Sequence, residues 1–154
     1  MTVAAPSRQA WFLDTHVTFR VAGVDGDDGI VVIESWARRG DSPPLHVHHT
    51  EDELFHVVDG ELTFVHGDRP SSVRAGETLL APKGIPHTYR VESPTARWLT
   101  VTTNGDFEAF VRAASRPAER HELPAPAGPP TDERRQQLAK LAARSGIEFV
   151  GPPL

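Results

Sequence analysis

Turn-forming residues cut the stretch from Thr15 to Thr103 into pieces too short for ordinary helices. The cuts fall at DGDDG (25–29), RRGDSPP (38–44), Asp59-Gly60, HGDRP (66–70), Ala75-Gly76 and PKGIP (82–86). Each places Gly, Pro or Asp where the backbone must reverse. The segments between them, 15–22, 29–36, 53–58, 61–66, 72–74, 77–81, 87–92 and 96–103, are rich in β-branched and aromatic residues and read as short strands. Asp59-Gly60, set between two apolar runs, is a hairpin signal. So many short strands in a chain of 154 residues predict a single all-β barrel with a core large enough to stand without cross-links.

The flanks differ from this middle. Residues 1–14 read as an N-terminal arm, loose to about residue 10, with Trp11, Phe12 and Leu13 the first side chains that have something to bury. The barrel spans 15–105, and a C-terminal extension covers 106–154. Within the extension, Phe107, Phe110 and Val111 recur at helical spacing after Asn104-Gly105-Asp106. Residues 116–130 carry five prolines and read as an extended connector without regular structure. Thr131 then caps a helix over 131–145, with Asp132 and Glu133 in the first turn, a stripe of Leu138, Leu141 and Ala142, and Gly146 as the stop. The tail IEFVGPPL is too apolar for water, which predicts that it docks on the barrel or on a partner subunit.

Composition removes several classes of function. There is no cysteine, so disulfide frameworks, thiolate metal sites and cysteine nucleophiles are excluded, and a tightly held metal must use imidazole and carboxylate. Eight histidines are available for that. A net charge of −5 with no basic stripe argues against nucleic acid as a partner. No run of about 18 apolar residues and no leader pattern occurs, so the expectation is a soluble, cytoplasmic protein that does not enter a membrane.

The chemistry concentrates in two segments. In GDSPPLHVHHTEDELFHVVDG (40–60), His46 and His48 stand two apart and Glu53 follows five later. Residues i and i+2 of a strand share a face about 7 Å apart, so the two imidazoles can converge on one ion, with Glu53 arriving from the next strand. The same parity sends Phe55 and Val57 inward with Glu53 and His56 outward. Glu51 and Asp52 are weaker ligand candidates, the first on spacing and the second on parity. In GETLLAPKGIPHTYRV (76–91), a Pro-Lys-Gly-Ile-Pro turn delivers His87 from a different hairpin. Three imidazoles and a carboxylate without sulfur suit one divalent Fe, Mn, Ni, Co or Zn and leave coordination positions open. Tyr89 and Thr102 have the parity or barrel position to reach the interior. His16, His49, His66 and His121 read as solvated or turn residues, and Trp36 and Trp98 as packing residues.

These two segments resemble the paired motifs of the cupin superfamily. The first motif is met in full by Gly40, His46, His48, Glu53 and Gly60. In the second, Gly76, Pro82, Gly84 and His87 match, while Val91 stands where the family has Asn. The resemblance implies a jelly-roll barrel, a double-stranded β-helix, with a C-terminal helical extension, and metal ligands His46, His48, Glu53 and His87. The helix and apolar ending resemble those of quercetin dioxygenase-like cupins with one barrel. That implies a dioxygenase acting on a small phenolic or enolisable molecule, flavonol- or polyketide-like, chelated to the metal, with Glu53 as base and Phe55, Val57, Tyr89, Val91 and Thr102 lining the substrate pocket. A polyketide cyclase or isomerase on the same scaffold is the alternative, and a small-molecule-binding cupin without turnover is the third. Exposed sheet edges and apolar termini predict a homodimer.

Overall fold

Strand β5 (Glu53–Asp59) shows how the sequence builds the fold. Glu53, Phe55 and Val57 are buried while Leu54, His56 and Val58 face outward, the period-two pattern of a sheet with one covered face. The computed structural model describes residues 8–154, and the seven N-terminal residues of the expected arm lie outside them. The other strands are β1 (Gln9–Phe12), β2 (Thr15–Val21), β3 (Val31–Arg38), β4 (Leu45–His48), β6 (Glu61–His66), β7 (Arg69–Arg74), β8 (Thr78–Ala81), β9 (His87–Val91), β10 (Thr95–Thr102), β11 (Arg116–Pro117) and β12 (Ile147–Gly151). Two α-helices, α1 (Asp106–Ala114) and α2 (Asp132–Arg144), and a single 3-10 turn at Gly23–Asp25 complete the described elements.

The strands form two antiparallel sheets, in the orders β11-β1-β2-β3-β10-β5-β8 and β12-β4-β9-β6-β7. Their inner faces enclose a core of Phe55, Val57, Leu62, Phe64, Val91 and Trp98. Helix α1 lays Val111 against inner-face residues Val17, Phe19, Val31 and Ile33. Helix α2 adds Leu138 and Ala142 beside Phe110 and Ile147. This is the all-β barrel expected from the turn pattern, in the two-sheet jelly-roll form that the cupin resemblance implies. Thr131 caps α2 by accepting a hydrogen bond from Arg134 N, and Gly146 follows with φ of 67°, as the capping signals predict.

Several boundaries differ from the expectation. Gln9 and Ala10 belong to β1 and not to a loose arm. Leu13 is not a core residue: it sits at the β1–β2 turn with φ of 54° and is 42% exposed, because a two-residue hairpin needs left-handed backbone there. Strand β3 starts at Val31, since Gly29 has φ of 71° and turns the chain before it. Strand β7 begins at Arg69 and includes Pro70, which an edge strand tolerates because its missing N–H faces no neighbour.

The proline-rich connector is mostly irregular, as expected, but Arg116 and Pro117 pair with β1. The connector also straps the outer face of the larger sheet. Trp11 Nε1 donates to Glu122 O at 2.9 Å, Arg38 Nη1 to Pro124 O at 2.8 Å, and Ala127 N to Asp14 Oδ1 at 3.0 Å. That strap buries His16, which the sequence read as a solvated or turn residue. Its ring packs edge-on against Trp36 and His121, and Nε2 meets Gln9 Oε1 at 3.2 Å. Burial, and then the neighbouring His121, lower its pKa.

The apolar tail docks on the barrel. As β12 it pairs with β4, setting Ile147 opposite His48 and Phe149 opposite His46. The strand bearing two of the candidate ligands is therefore held from both sides, by β9 and β12.

Candidate metal centre

His46 and His48 project from one face of β4, Glu53 opens β5, and His87 opens β9 in direct register with His46. The turn before β9 is fixed by Gly84 N donating to His48 O at 2.8 Å and Gly67 N to Pro86 O at 3.1 Å. One ligand atom from each of the four residues lies within 4.8 Å of those of the others. Glu53 Oε2 stands 2.9 Å from His48 Nε2 and 2.8 Å from His87 Nε2. The His46 and His87 ring centroids are 4.4 Å apart, and the His48 ring lies 5.1 Å from His46. His48, Glu53 and His87 are nearly inaccessible, whereas His46 is 9% exposed and forms the open side of the cluster.

The donors suit a cation. His46 Nδ1 donates to Pro44 O at 2.8 Å, which fixes the tautomer and leaves Nε2 with a free lone pair. His48 Nε2 is buried and makes no hydrogen bond; Glu53 Oε2 is close enough for an ion pair but poorly aligned to accept. An unpaired buried nitrogen costs stability unless a partner arrives, and a metal coordinated by the four side chains would be one.

Electrostatics act the same way. Burial, and then the adjacent His87, push the His46 pKa down to about 4, so its ring is neutral and able to ligate. Burial disfavours charge on Glu53, but the combined pull of His48 and His87 holds its carboxyl well below the usual range. Burial alone would lower His48, yet Glu53 raises it above the ordinary histidine value. An anionic carboxylate amid imidazoles is a preformed donor set.

Aromatic rings wall the cluster. Phe64 stacks on His87 at 5.7 Å, Phe55 meets it edge-on at 5.9 Å, and Phe107 of α1 meets His48 at 5.6 Å. Of the expected pocket residues, Phe55 therefore touches the cluster, and Tyr89 lies one step further along β9, against Phe64 and Trp98. Thr102 is buried opposite Glu53 and donates to Asn104 O at 3.1 Å. Val57 and Val91 face inward within the packed core.

Glu51 and Asp52 stand outside the cluster and have structural work. Glu51 is buried and accepts from Asp106 N at 3.0 Å and Phe107 N at 3.1 Å, capping α1, whose N-cap Gly105 offers no side chain. Burial pushes its carboxyl up to about 7. A glycine at that N-cap was the available signal, because the free N–H groups of a helix start require an acceptor. Asp52 Oδ1 accepts from Lys83 N at 2.8 Å. His49 pairs with Glu148 on the surface, and His56 Nδ1 meets Thr78 Oγ1.

His66 is not the solvated turn residue that its place in HGDRP suggested. It ends β6 directly opposite His87, and its Nε2 is buried without a hydrogen-bond partner. The alternation of Leu62 and Phe64 ahead of it was the signal that it faces inward.

Residues 33–102 match the cupin domain family, so this stretch, which holds the whole His46, His48, Glu53 and His87 cluster, is a cupin domain. Among curated proteins, it is 30% identical over 105 residues to quercetin 2,3-dioxygenase of Bacillus subtilis (strain 168), an alignment covering 68% of this chain and 31% of that enzyme. The chain thus spans under a third of that relative's length. Among solved structures, an RmlC-like cupin from Shewanella frigidimarina superposes with a TM-score of 0.55 at 12% identity, covering 67% of this chain and 88% of that one. KdgF from Halomonas sp. gives 0.54 at 14% identity, covering 58% and 78%. Both are likenesses of fold. No helix among the described residues is long and apolar enough to cross a membrane.

Proposed function

We propose that this chain is a metal-dependent dioxygenase acting on a small phenolic or enolisable molecule of the flavonol or polyketide kind. The observation that carries the reading is the convergence of His46, His48, Glu53 and His87 within 4.8 Å, in a barrel whose sequence resembles quercetin 2,3-dioxygenase. A divalent transition metal held by these four residues would supply Lewis acidity and, for Fe, Mn, Ni or Co, access to a second oxidation state.

The chain's own residues do the rest. Substrate enters past His46, the accessible member of the cluster. Glu53 is the base: its carboxylate, held ionised by His48 and His87, takes the proton of the phenolic or enolic hydroxyl. Removal of that proton leaves an electron-rich carbon to which dioxygen adds. Phe55, Phe64 and Phe107 keep bulk water from the reacting carbon, which strengthens each polar contact inside.

The test is elemental analysis of the purified protein and a His48→Ala variant, followed by oxygen uptake with flavonols. Near one equivalent of Fe, Ni, Mn or Co, with uptake that disappears in the variant, is the expected result. Turnover of an enolisable substrate without oxygen, or with zinc alone, would favour an isomerase or cyclase using the same Glu53. Ligand affinity without any product would leave a binding protein.

A further inference from the structure

A row of three residues in register crosses three strands of the smaller sheet. Strand β6 sets Leu62 opposite Val91, Phe64 opposite Tyr89 and His66 opposite His87 on β9. On its other side it sets Leu62 opposite Val73, Phe64 opposite Ser71 and His66 opposite Arg69 on β7. Directly paired residues share a face of the sheet. Leu62, Phe64, Val73 and Val91 are buried, so that face is the inner one. His87, His66 and Arg69 therefore stand side by side in order from the metal cluster to the sheet's free edge, about two strand spacings or ~10 Å between the outer members.

Neither of the two residues beyond His87 has a side-chain partner among the described residues. His66 Nε2 is buried with no hydrogen-bond partner. Arg69 is exposed, and no described residue pairs with its guanidinium. Arg8, Arg20, Arg74, Arg90, Arg97 and Arg112 each hold a carboxylate. A free guanidinium beside an inward-facing imidazole is a fork for a planar or tetrahedral oxyanion.

We infer that His66 and Arg69 form an oxyanion subsite, so that the substrate carries a carboxylate or phosphate on the side away from its chelating oxygens. The inference deepens the proposed function and rests on its chelating substrate. Arg69 binds the anionic group at the free edge of the smaller sheet. His66 hydrogen-bonds the substrate between the two ends and fixes its orientation. The span suits a single aromatic ring with chelating oxygens at one end and the acid at the other.

Binding titrations on the Co(II)-loaded protein, read from its visible absorption, test this without any turnover. The probes are catechol, 3,4-dihydroxybenzoate and 3,4-dihydroxyphenyl phosphate. The expected result is affinity for at least one anionic catechol about five- to tenfold above that for catechol, weakening as NaCl is raised. The larger of the two preferences names the oxyanion. Arg69→Ala should bring the preference close to one while leaving catechol affinity unchanged, Arg69→Glu should invert it, and Arg69→Lys should restore part of it. His66→Leu should weaken all three probes several-fold, with His66→Gln recovering most of the loss. Thermal unfolding of each variant shows that the fold is kept. Catechol binding with no preference for the anionic probes, or a preference that survives Arg69→Ala, overturns the subsite alone. Failure of the wild-type protein to bind any of the three overturns the chelating-substrate reading and the subsite with it.

Discussion

Gly60 should tolerate a methyl group far less well than Gly40, although both have left-handed backbone, with φ of 86° and 88°. An L-residue in that region costs about 1–2 kcal/mol, and this is the whole expected effect of Gly40→Ala, since nothing lies within 4 Å of a Cβ there. At Gly60 a Cβ would fall 2.5 Å from Ser93 Oγ, 2.6 Å from Thr95 O and 2.9 Å from Ala96 Cα. Ser93 cannot simply rotate away, because its hydroxyl accepts from Glu61 N and donates to Thr95 O; losing those bonds costs about 1 kcal/mol each. The two backbone contacts require β10 itself to shift, an overpacking of about 1–3 kcal/mol. Gly60→Ala should therefore cost about 4–7 kcal/mol. At about 2–4 °C per kcal/mol for a domain of this size, that lowers Tm by roughly 8–28 °C, against roughly 2–8 °C for Gly40→Ala. Thermal unfolding followed by circular dichroism reads both. Equal shifts for the two variants would refute the argument, because the close approach of β10 would then contribute nothing.

Three further outcomes follow from the packing and the site. His48→Ala should reduce bound transition metal from near one equivalent to below about a tenth, since four-ligand sites lose most of their affinity with one donor; elemental analysis of both proteins checks it. Asp41 is raised to about 6 by burial, opposed by a weak hydrogen bond from Thr15. A folded-state pKa above the unfolded value means that stability is full below about pH 4 and declines as pH rises through about 6, so Asp41→Asn should stabilise the protein at pH 8 by at most about 3 kcal/mol and not at pH 4. Denaturant titrations at the two pH values decide this, and a gain of equal size at both would contradict it. Ile147→Ala, in the strand that braces β4, should cost about 2–4 kcal/mol and weaken metal binding several-fold. Unchanged metal affinity would show that β12 does not hold the ligand strand in place.

The barrel was legible because its information is local. Turn residues at short intervals and period-two alternation need no knowledge of distant partners, and they place Glu53, Phe55 and Val57 on one face and His56 on the other, as in the structure. The spacing of His46, His48, Glu53 and His87 was legible for the same reason, joined to the motif pattern that sets two hairpins side by side. Misreadings fall where a distant segment changes a residue's surroundings. His16 read as a solvated or turn residue until residues 116–127 strapped that face. Pro70 looked like a turn residue until β7 proved to be an edge strand, where a missing N–H is harmless.

Sequence alone therefore determined the class of fold, the cupin motifs and which four side chains cluster, because each depends on residue type at fixed short spacing. Tertiary structure decided what surrounds the donors. It made Glu51 a helix cap instead of a ligand, brought the tail alongside His46 and His48 as a bracing strand, and aligned His66 and Arg69 with His87 across three strands. Those relations depend on sheet register and on which segments cover which faces. Both are set by the packing of the whole chain and not by the local order of its residues.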